Sequence, residues 1–144
     1  RAVHRARSLS GSSHSVRRAI AAYRAALAVD SQHASVRFAL AAVLIDLGQT
    51  AEAERELGEA LEAVPTYSDA TLALAKLQRS QGRHDEAMSL LIGLLQRDPY
   101  HFDALLTLGE SLLELGQKAE AALKTFRACV GSSFSDGICR SPHQ

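Results

Sequence analysis

The sequence predicts an all-α fold, a solenoid in which antiparallel helix pairs stack along the chain. Two observations lead to this prediction. The 144 residues are rich in Ala and Leu, with only three Pro and no Trp, a composition that favours helix throughout. Glycine, alanine and proline also return at a spacing of 34 residues. Such repeats are typical of helix pairs that must stack, because one pair cannot bury its apolar stripe alone.

The 34-residue repeat divides the chain into blocks that align without a gap. We predict repeats at residues 34–67 and 68–101, a truncated repeat at 102–130, and a half repeat at 15–33. Column fifteen of each block is glycine, column twenty is alanine, and column thirty-two is proline except in the third block. In that order, the residues are Gly48, Gly82 and Gly116, then Ala53, Ala87 and Ala121, then Pro65, Pro99 and Ser133.

Each block has the pattern of two helices that are joined at its glycine. Apolar residues recur at helical spacing on both sides of that glycine. Because glycine tolerates the left-handed conformation just past a helix end, Gly48, Gly82 and Gly116 are predicted to end the first helix of each pair. Pro65 and Pro99 are predicted to end the second helix, because proline has no N–H and clashes with the preceding turn. The alanine column lets the two helices approach closely.

The repeat resembles the tetratricopeptide repeat family over about residues 15–130. Column seven is leucine in all three blocks, but columns four and eleven depart from the aromatic residues that are usual in the family. These columns hold Leu40, Leu74 and Leu108, then Arg37, Thr71 and Leu105, then Leu44, Gln78 and Leu112. The resemblance implies a right-handed superhelix of about three and a half repeats. We expect Gln78 to weaken the core of the second block slightly.

The resemblance also implies where a ligand would bind. In this family the first helices of successive pairs line a concave groove that binds an extended or helical peptide. Here the groove columns give an apolar floor with a basic middle and an acidic far end, which suits a peptide with apolar anchors and mixed charge. The candidate groove residues are Phe38, Ala42 and Ile45 in the first block, Leu72, Lys76 and Arg79 in the second, and Leu106, Glu110 and Leu113 in the third.

The charged groove residues have a second interpretation. Lys76 and Glu110 share a column in adjacent blocks and can neutralise each other, as can Arg79 and Glu114. Exposed ion pairs of this kind contribute only about 0–1 kcal/mol to stability. On this interpretation the charges serve the scaffold itself and no ligand.

One class of ligand is excluded by the same columns. Members of the family that bind chaperone tails clamp a terminal carboxylate with Lys, Asn and Arg side chains. The corresponding positions here are Phe38, Ala42, Ala73, Asp103 and Thr107. None of them matches, and Asp103 has the wrong charge, so we predict that a chaperone carboxylate tail is not the ligand.

The two ends of the chain differ from the repeats. Residues 1–14 are basic and are predicted to form a flexible arm or the remnant of an earlier repeat. No aromatic residue is interleaved with this arginine cluster, so we expect no nucleic-acid partner. Residues 131–144 lack the helical period and are predicted to be a disordered tail, either native or foreign to the protein. Because the chain begins without Met, we expect a piece of a longer protein or a processed one.

No catalytic or cofactor site is recognisable. His84, beside Asp85 and Glu86, lacks the spacing of a zinc-binding HExxH motif. Cys129 and Cys139 form no CxxC pattern and are predicted to be free thiols. We therefore expect that the chain is not an enzyme and that it binds no metal ion and no cofactor. No stretch reaches the roughly 18 apolar residues of a membrane span and the start lacks a secretory signal, so we expect a cytoplasmic location.

The sequence thus predicts a non-catalytic interaction scaffold that binds a peptide segment of a partner protein. Two alternatives remain open, a self-associating structural element and a fragment of a larger multidomain protein. Self-association would occur through the last predicted helix, residues 118–130. Its apolar residues have no capping helix to cover them and would be buried in a homo-oligomer.

Overall fold

The computed structural model describes the backbone of residues 2–136 and the side chains of residues 11–121, 123 and 124. Within that part the chain forms six α-helices and no β-strand, which confirms the predicted all-α fold. None of the described helices is both long and apolar enough to cross a lipid bilayer. The helices are α1 Ala2–Val29, α2 Ala34–Asp46, α3 Thr50–Ala63, α4 Ser68–Ser80, α5 His84–Arg97 and α6 Phe102–Asp136.

Gly48 and Gly82 end helices α2 and α4, as the repeat predicts. Their φ angles are 77° and 80°, in the left-handed region that glycine adopts without strain. The amide of Gly48 donates to the Ile45 carbonyl at 2.9 Å, and the amide of Gln49 donates to the Leu44 carbonyl at 2.8 Å. The same two bonds recur around Gly82. They form a Schellman motif, which satisfies carbonyl groups that the end of a helix leaves unpaired.

Pro65 and Pro99 follow the ends of helices α3 and α5. The residue before each proline is extended, with φ and ψ of −134° and 90° at Val64 and of −132° and 90° at Asp98. Helical backbone is disfavoured at these residues, because it brings them into steric conflict with the proline ring. The prediction that the two prolines mark the ends of second helices is confirmed.

Consecutive helices pack against each other from α1 to α6, and α4 also contacts α2 and α6. These contacts join neighbouring parts of the chain, as expected of an α-solenoid. Two apolar clusters form the core. The first includes Leu40, Leu44 and Leu57 of the first block, and the second includes Leu91 and Leu94 of α5. All five leucines are almost completely buried.

Helix α1 packs on α2 through the segment that is predicted as a half repeat. Ile20, Tyr23 and Leu27 are half-buried against the first apolar cluster. The helix begins at Ala2, so residues 2–14 have a helical backbone where the sequence predicts a flexible arm or the remnant of an earlier repeat. The division of the chain into an arm, a repeat domain and a tail stays a prediction.

Helix α6 differs from the prediction for the third block. The repeat predicts that Gly116 ends a first helix, but α6 runs without interruption over 35 residues. The prediction of coil from Gly131 onward is also wrong as far as Asp136, which is the last residue of α6. Residues 137–144 of the predicted tail lie outside the described part of the chain. The third block is therefore one long helix and not a pair.

The third block lacks two features that help the first two blocks to fold back. Column twenty-four holds Thr125 in place of Leu57 and Leu91, both of which are fully buried. A second helix in the third block would therefore bury less apolar surface. Ser133 replaces the proline that follows α3 and α5, so the helix meets no stop signal. A continuous helix also keeps the backbone hydrogen bonds that a turn at Gly116 would give up.

Candidate functional site

The nine candidate groove residues lie on α2, α4 and α6, and α4 contacts both of the other helices. On each helix the three candidates are spaced at i, i+4 and i+7, so they share one side of that helix. The structure exposes five of the nine to solvent. These five residues, which we refer to as the groove face, are Ala42, Lys76, Leu106, Glu110 and Leu113.

The candidates on α2 mainly pack within the scaffold. Phe38 and Ile45 are half-buried against the first apolar cluster. The Phe38 ring meets the Tyr67 ring edge to face, with centroids 5.5 Å apart and an interplanar angle of 62°. Burial, with the Asp69 charge as a smaller cause, raises the pKa of the Tyr67 phenol. The aromatic pair joins α2 to Tyr67, the residue just before α4, and leaves Ala42 as the exposed candidate on α2.

Leu72 does not lie on an open groove floor. Only 8% of it is exposed, and it belongs to the second apolar cluster with Ala87 and Leu91 of α5 and Ala104 of α6. Helix α4 packs between neighbours on both sides of it in the chain, which draws this leucine into the core. Leu72 is therefore a packing residue, and its expected place on the exposed floor is corrected.

Arg79 joins α4 to α6 through two carboxylates. Its Nη1 forms an ion pair with Glu110, and its Nε lies 3.7 Å from the Glu114 Oε1. The predicted neutralisation of Arg79 by Glu114 therefore occurs, and Glu110 pairs with Arg79 where Lys76 was the expected partner. Lys76 is exposed on α4. The groove face thus contains Lys76 as an exposed cation, beside Arg79, whose charge is paired with glutamates of α6.

Helix α6 supplies the apolar part of the groove face. Leu106 is 50% exposed and Leu113 is 64% exposed. They lie on one side of the helix with Glu110 between them. Large apolar side chains that stay exposed on one side of a helix, here two turns apart, are a feature of surfaces that bind other molecules.

Sequence reasoning missed a buried histidine next to the Arg79 ion pairs. The Lys118 ammonium donates to His84 Nε2 at 2.9 Å, and Glu114 Oε2 lies 3.7 Å from His84 Nδ1. Among the described residues, Nδ1 has no hydrogen-bond partner. The 34-residue spacing of His84 and Lys118 could have indicated the contact, because stacked repeats bring equal columns together. This contact ties α6 to the start of α5 just past Gly116.

The structure also explains the polar residue in column four of the first block. Arg37 Nη1 lies 2.8 Å from a Glu56 carboxylate oxygen and also pairs with Glu59, and both glutamates belong to α3. Its Nε donates to the Ser31 carbonyl at 3.0 Å. Arg37 and Glu56 are largely buried, so hydrogen-bonded charges join α2 to α3 where the family usually has an aromatic contact.

The described side chains contain no group of three or more His, Cys, Asp and Glu residues that could hold a metal ion. The side chains of Cys129 and Cys139 lie outside this set, so their expected free-thiol state stays a prediction. Asp85 and Glu86 lie in the first turn of α5, where acidic side chains interact favourably with the helix dipole.

The stacked helix pairs define an α-helical repeat protein. The family model described as Tetratricopeptide repeat matches residues 12–77, 48–95 and 78–123, which together make up most of the chain. The chain belongs to the tetratricopeptide repeat family. A comparison with curated proteins finds no match.

Solved structures with the same fold include two domains that hold short peptides. One is the first tetratricopeptide repeat domain of Spaghetti (RPAP3), bound to the HSP90 peptide SRMEEVD. It has a TM-score of 0.66 and 19% sequence identity, and the match covers 73% of this chain and 85% of that one. The second domain of human RPAP3, in complex with the HSP70 peptide SGPTIEEVD, has a TM-score of 0.62 and 22% identity, over 69% of this chain and 83% of that one.

Among these three examples, a bacterial protein has the highest sequence identity to this chain. TTC0263, a thermophilic protein of the same family in Thermus thermophilus, has a TM-score of 0.63 and 28% identity. The match covers 68% of this chain and 50% of that one. The three likenesses agree on the fold and say nothing of a ligand for this chain.

Proposed function

We propose that the chain is a non-catalytic scaffold that binds a peptide segment of a partner protein along the groove face. The observation that supports this most is the exposure of Leu106 and Leu113 on either side of Glu110. Exposed apolar side chains two turns apart on one side of a helix, with charges beside them, can provide both apolar anchor contacts and specificity for a peptide. The same fold holds a short peptide in two structural neighbours, so a scaffold of this shape can accommodate one.

The charges of the groove face favour a peptide that carries an acidic residue between apolar ones. Lys76 is exposed, whereas Arg79 is occupied by Glu110 and Glu114. A peptide carboxylate can therefore pair with Lys76 without breaking an ion pair of the scaffold. Apolar peptide side chains would pack against Leu106 and Leu113. An exposed charge pair of this kind affects the association rate and the specificity more than the affinity.

The peptide that we propose is an internal segment and not a free C-terminal tail. The positions of the family's carboxylate clamp hold Phe38, Ala42, Ala73, Asp103 and Thr107. Thr107 is buried, and its hydroxyl donates to the Asp103 carbonyl at 2.7 Å. No cationic side chain stands at these positions to neutralise a terminal carboxylate.

Affinity capture from an extract of the source cells tests the proposal. The baits are the wild-type chain and a Lys76→Glu, Leu113→Glu double variant, which reverses one charge and removes one apolar anchor. We expect the wild-type chain to retain a partner that the double variant loses. Both substituted residues are exposed, so the fold should be kept, and far-UV circular dichroism checks this. Leu72 is unsuitable for the test because it is buried.

Ile92→Glu provides the matched control. Ile92 is a half-exposed apolar residue on α5, outside the groove face, so its substitution makes the same change from an apolar residue to glutamate as Leu113→Glu, at a distance from the proposed site. The control should retain the partner of the wild-type chain. If the double variant captures the same proteins as the wild type and the control, the groove face is not the binding surface.

A further inference from the structure

One face of α6 is exposed to solvent, whereas the equivalent faces of α2 and α4 are covered by the second helix of their repeat. Columns four, eight and eleven of the first two blocks are buried or half-buried, where α3 and α5 pack against α2 and α4. In the third block the residues of these columns are Leu105, Gly109 and Leu112, which we refer to as the open face. Leu105 is 47% exposed and Leu112 is 51% exposed. Among the described helices, α6 contacts only α4 and α5.

A segment that matches the open face exists in the same chain. Residues 117–130 occupy the columns of a second helix, with Ala121 in the column of Ala53 and Ala87. Those two alanines are fully buried, because each lies in the helix that covers its own repeat. The sequence of the third block therefore still contains both halves of a helix pair.

The matching segment cannot reach the open face of its own chain in this structure. Leu112 and Ala121 are nine positions apart in one continuous helix, which separates them by roughly 14 Å along the axis at 1.5 Å per residue. One half of a straight helix cannot lie against the other half. Residues 117–130 of a second copy can give the open face the cover that the same residues cannot give their own chain.

The geometry points to a domain-swapped dimer of this chain, in which residues 117–130 of each copy cover the open face of the other. The exchanged contacts are those that the repeat pattern already provides, and exchange of an identical element is a low-cost route to a two-fold dimer. Exchange also buries the apolar columns while α6 stays straight. No turn at Gly116 is needed, so the helix keeps its backbone hydrogen bonds.

The dimer leaves the groove face accessible. Leu106, Glu110 and Leu113 each follow a residue of the open face by one position, which places them about 100° further around α6. Dimer formation therefore does not depend on the proposed peptide binding, and either inference can fail without the other.

Sedimentation velocity over a range of protein concentrations tests for the dimer. A reducing buffer keeps Cys129 and Cys139 from forming a disulfide between chains. We expect the wild-type mass to rise to twice the 15.5 kDa of one chain. Leu112→Glu, on the open face, should return the mass to that of a single chain. Ile92→Glu, which places the same charge on an equally exposed residue of α5, should leave the dimer intact.

A flexible insertion distinguishes an exchanged dimer from a simple face-to-face one. Four residues, Gly-Ser-Gly-Ser, inserted after Gly116 would let residues 117–130 fold back on their own chain, so the dimer should dissociate into folded monomers. Gly116→Ala favours the straight helix and should keep the dimer. A wild-type chain that is monomeric at all concentrations would overturn the proposal. So would a dimer that survives either Leu112→Glu or the insertion.

Discussion

The first two repeats and the third block carry the same glycine, but only the first two turn there. Gly48 and Gly82 are left-handed, whereas Gly116 lies inside α6. Local space does not explain the difference, since an added Cβ would meet no atom within 4 Å at any of the three glycines. What differs is the helix that follows and how much apolar surface it can bury. Glycine permits the turn, and helix packing decides whether the turn forms.

Substitutions in column eleven should give the largest difference in stability between the first repeat and the third block. Leu44 is completely buried and Leu112 is half exposed. We expect Leu44→Ala to lower the free energy of unfolding by about 2–5 kcal/mol, because it leaves a cavity in the core. Leu112→Ala should change it by less than about 0.5 kcal/mol at concentrations where the chain is monomeric. Urea denaturation followed by circular dichroism measures both values. Equal losses would mean that the third block closes into a pair within one chain.

In the glycine column, the same substitution by alanine should change the stability in opposite directions at Gly82 and Gly116. Gly82→Ala should lower the free energy of unfolding by about 1–2 kcal/mol, because alanine is strained at a φ of 80°. Gly116→Ala should raise it by up to about 1 kcal/mol, because alanine is the better residue inside a helix. The same urea titrations report both values. A destabilising Gly116→Ala would contradict the continuous α6.

The smallest change in stability is expected at Gln78, where the second repeat differs from the first in column eleven. Gln78 is buried in column eleven; its Nε2 donates to Glu86 at 3.3 Å, and its Oε1 has no hydrogen-bond partner among the described residues. Gln78→Leu gives this column the residue of the first repeat and should raise the free energy of unfolding by about 1 kcal/mol. Thermal unfolding measures the change. Gln81→Leu, at an exposed neighbouring position, serves as the control. A less stable Gln78→Leu variant would show that the amide is needed.

The ends of helices α2 to α5 could be predicted because local chemistry decides them. Gly48 and Gly82 accept a left-handed φ, and Pro65 and Pro99 exclude helical backbone from the residue before them. These effects act within a few residues and repeat at a fixed spacing. The pairing of the helices then follows from the apolar stripes that the repeat places on each of them.

The straight α6 and the details of the candidate site depend on packing between repeats, which the columns alone do not contain. Phe38 and Leu72 share a column, but Phe38 stays half-buried beside Tyr67 while Leu72 enters the core. Arg79 contacts two glutamates of α6 because the two helices meet at that point. A column assigns a residue to one side of a helix, and the neighbouring helices decide how much of it remains exposed.

The helix contacts described above also have a mechanical consequence. Each helix touches only helices one or two places away in the chain, and α4 is the element that contacts four others. A pulling force applied between the two ends would pass through the repeats in series, since few contacts bypass any one of them. The weakest interface would then open first while the others hold. A chain built in this way should lengthen under tension in separate steps.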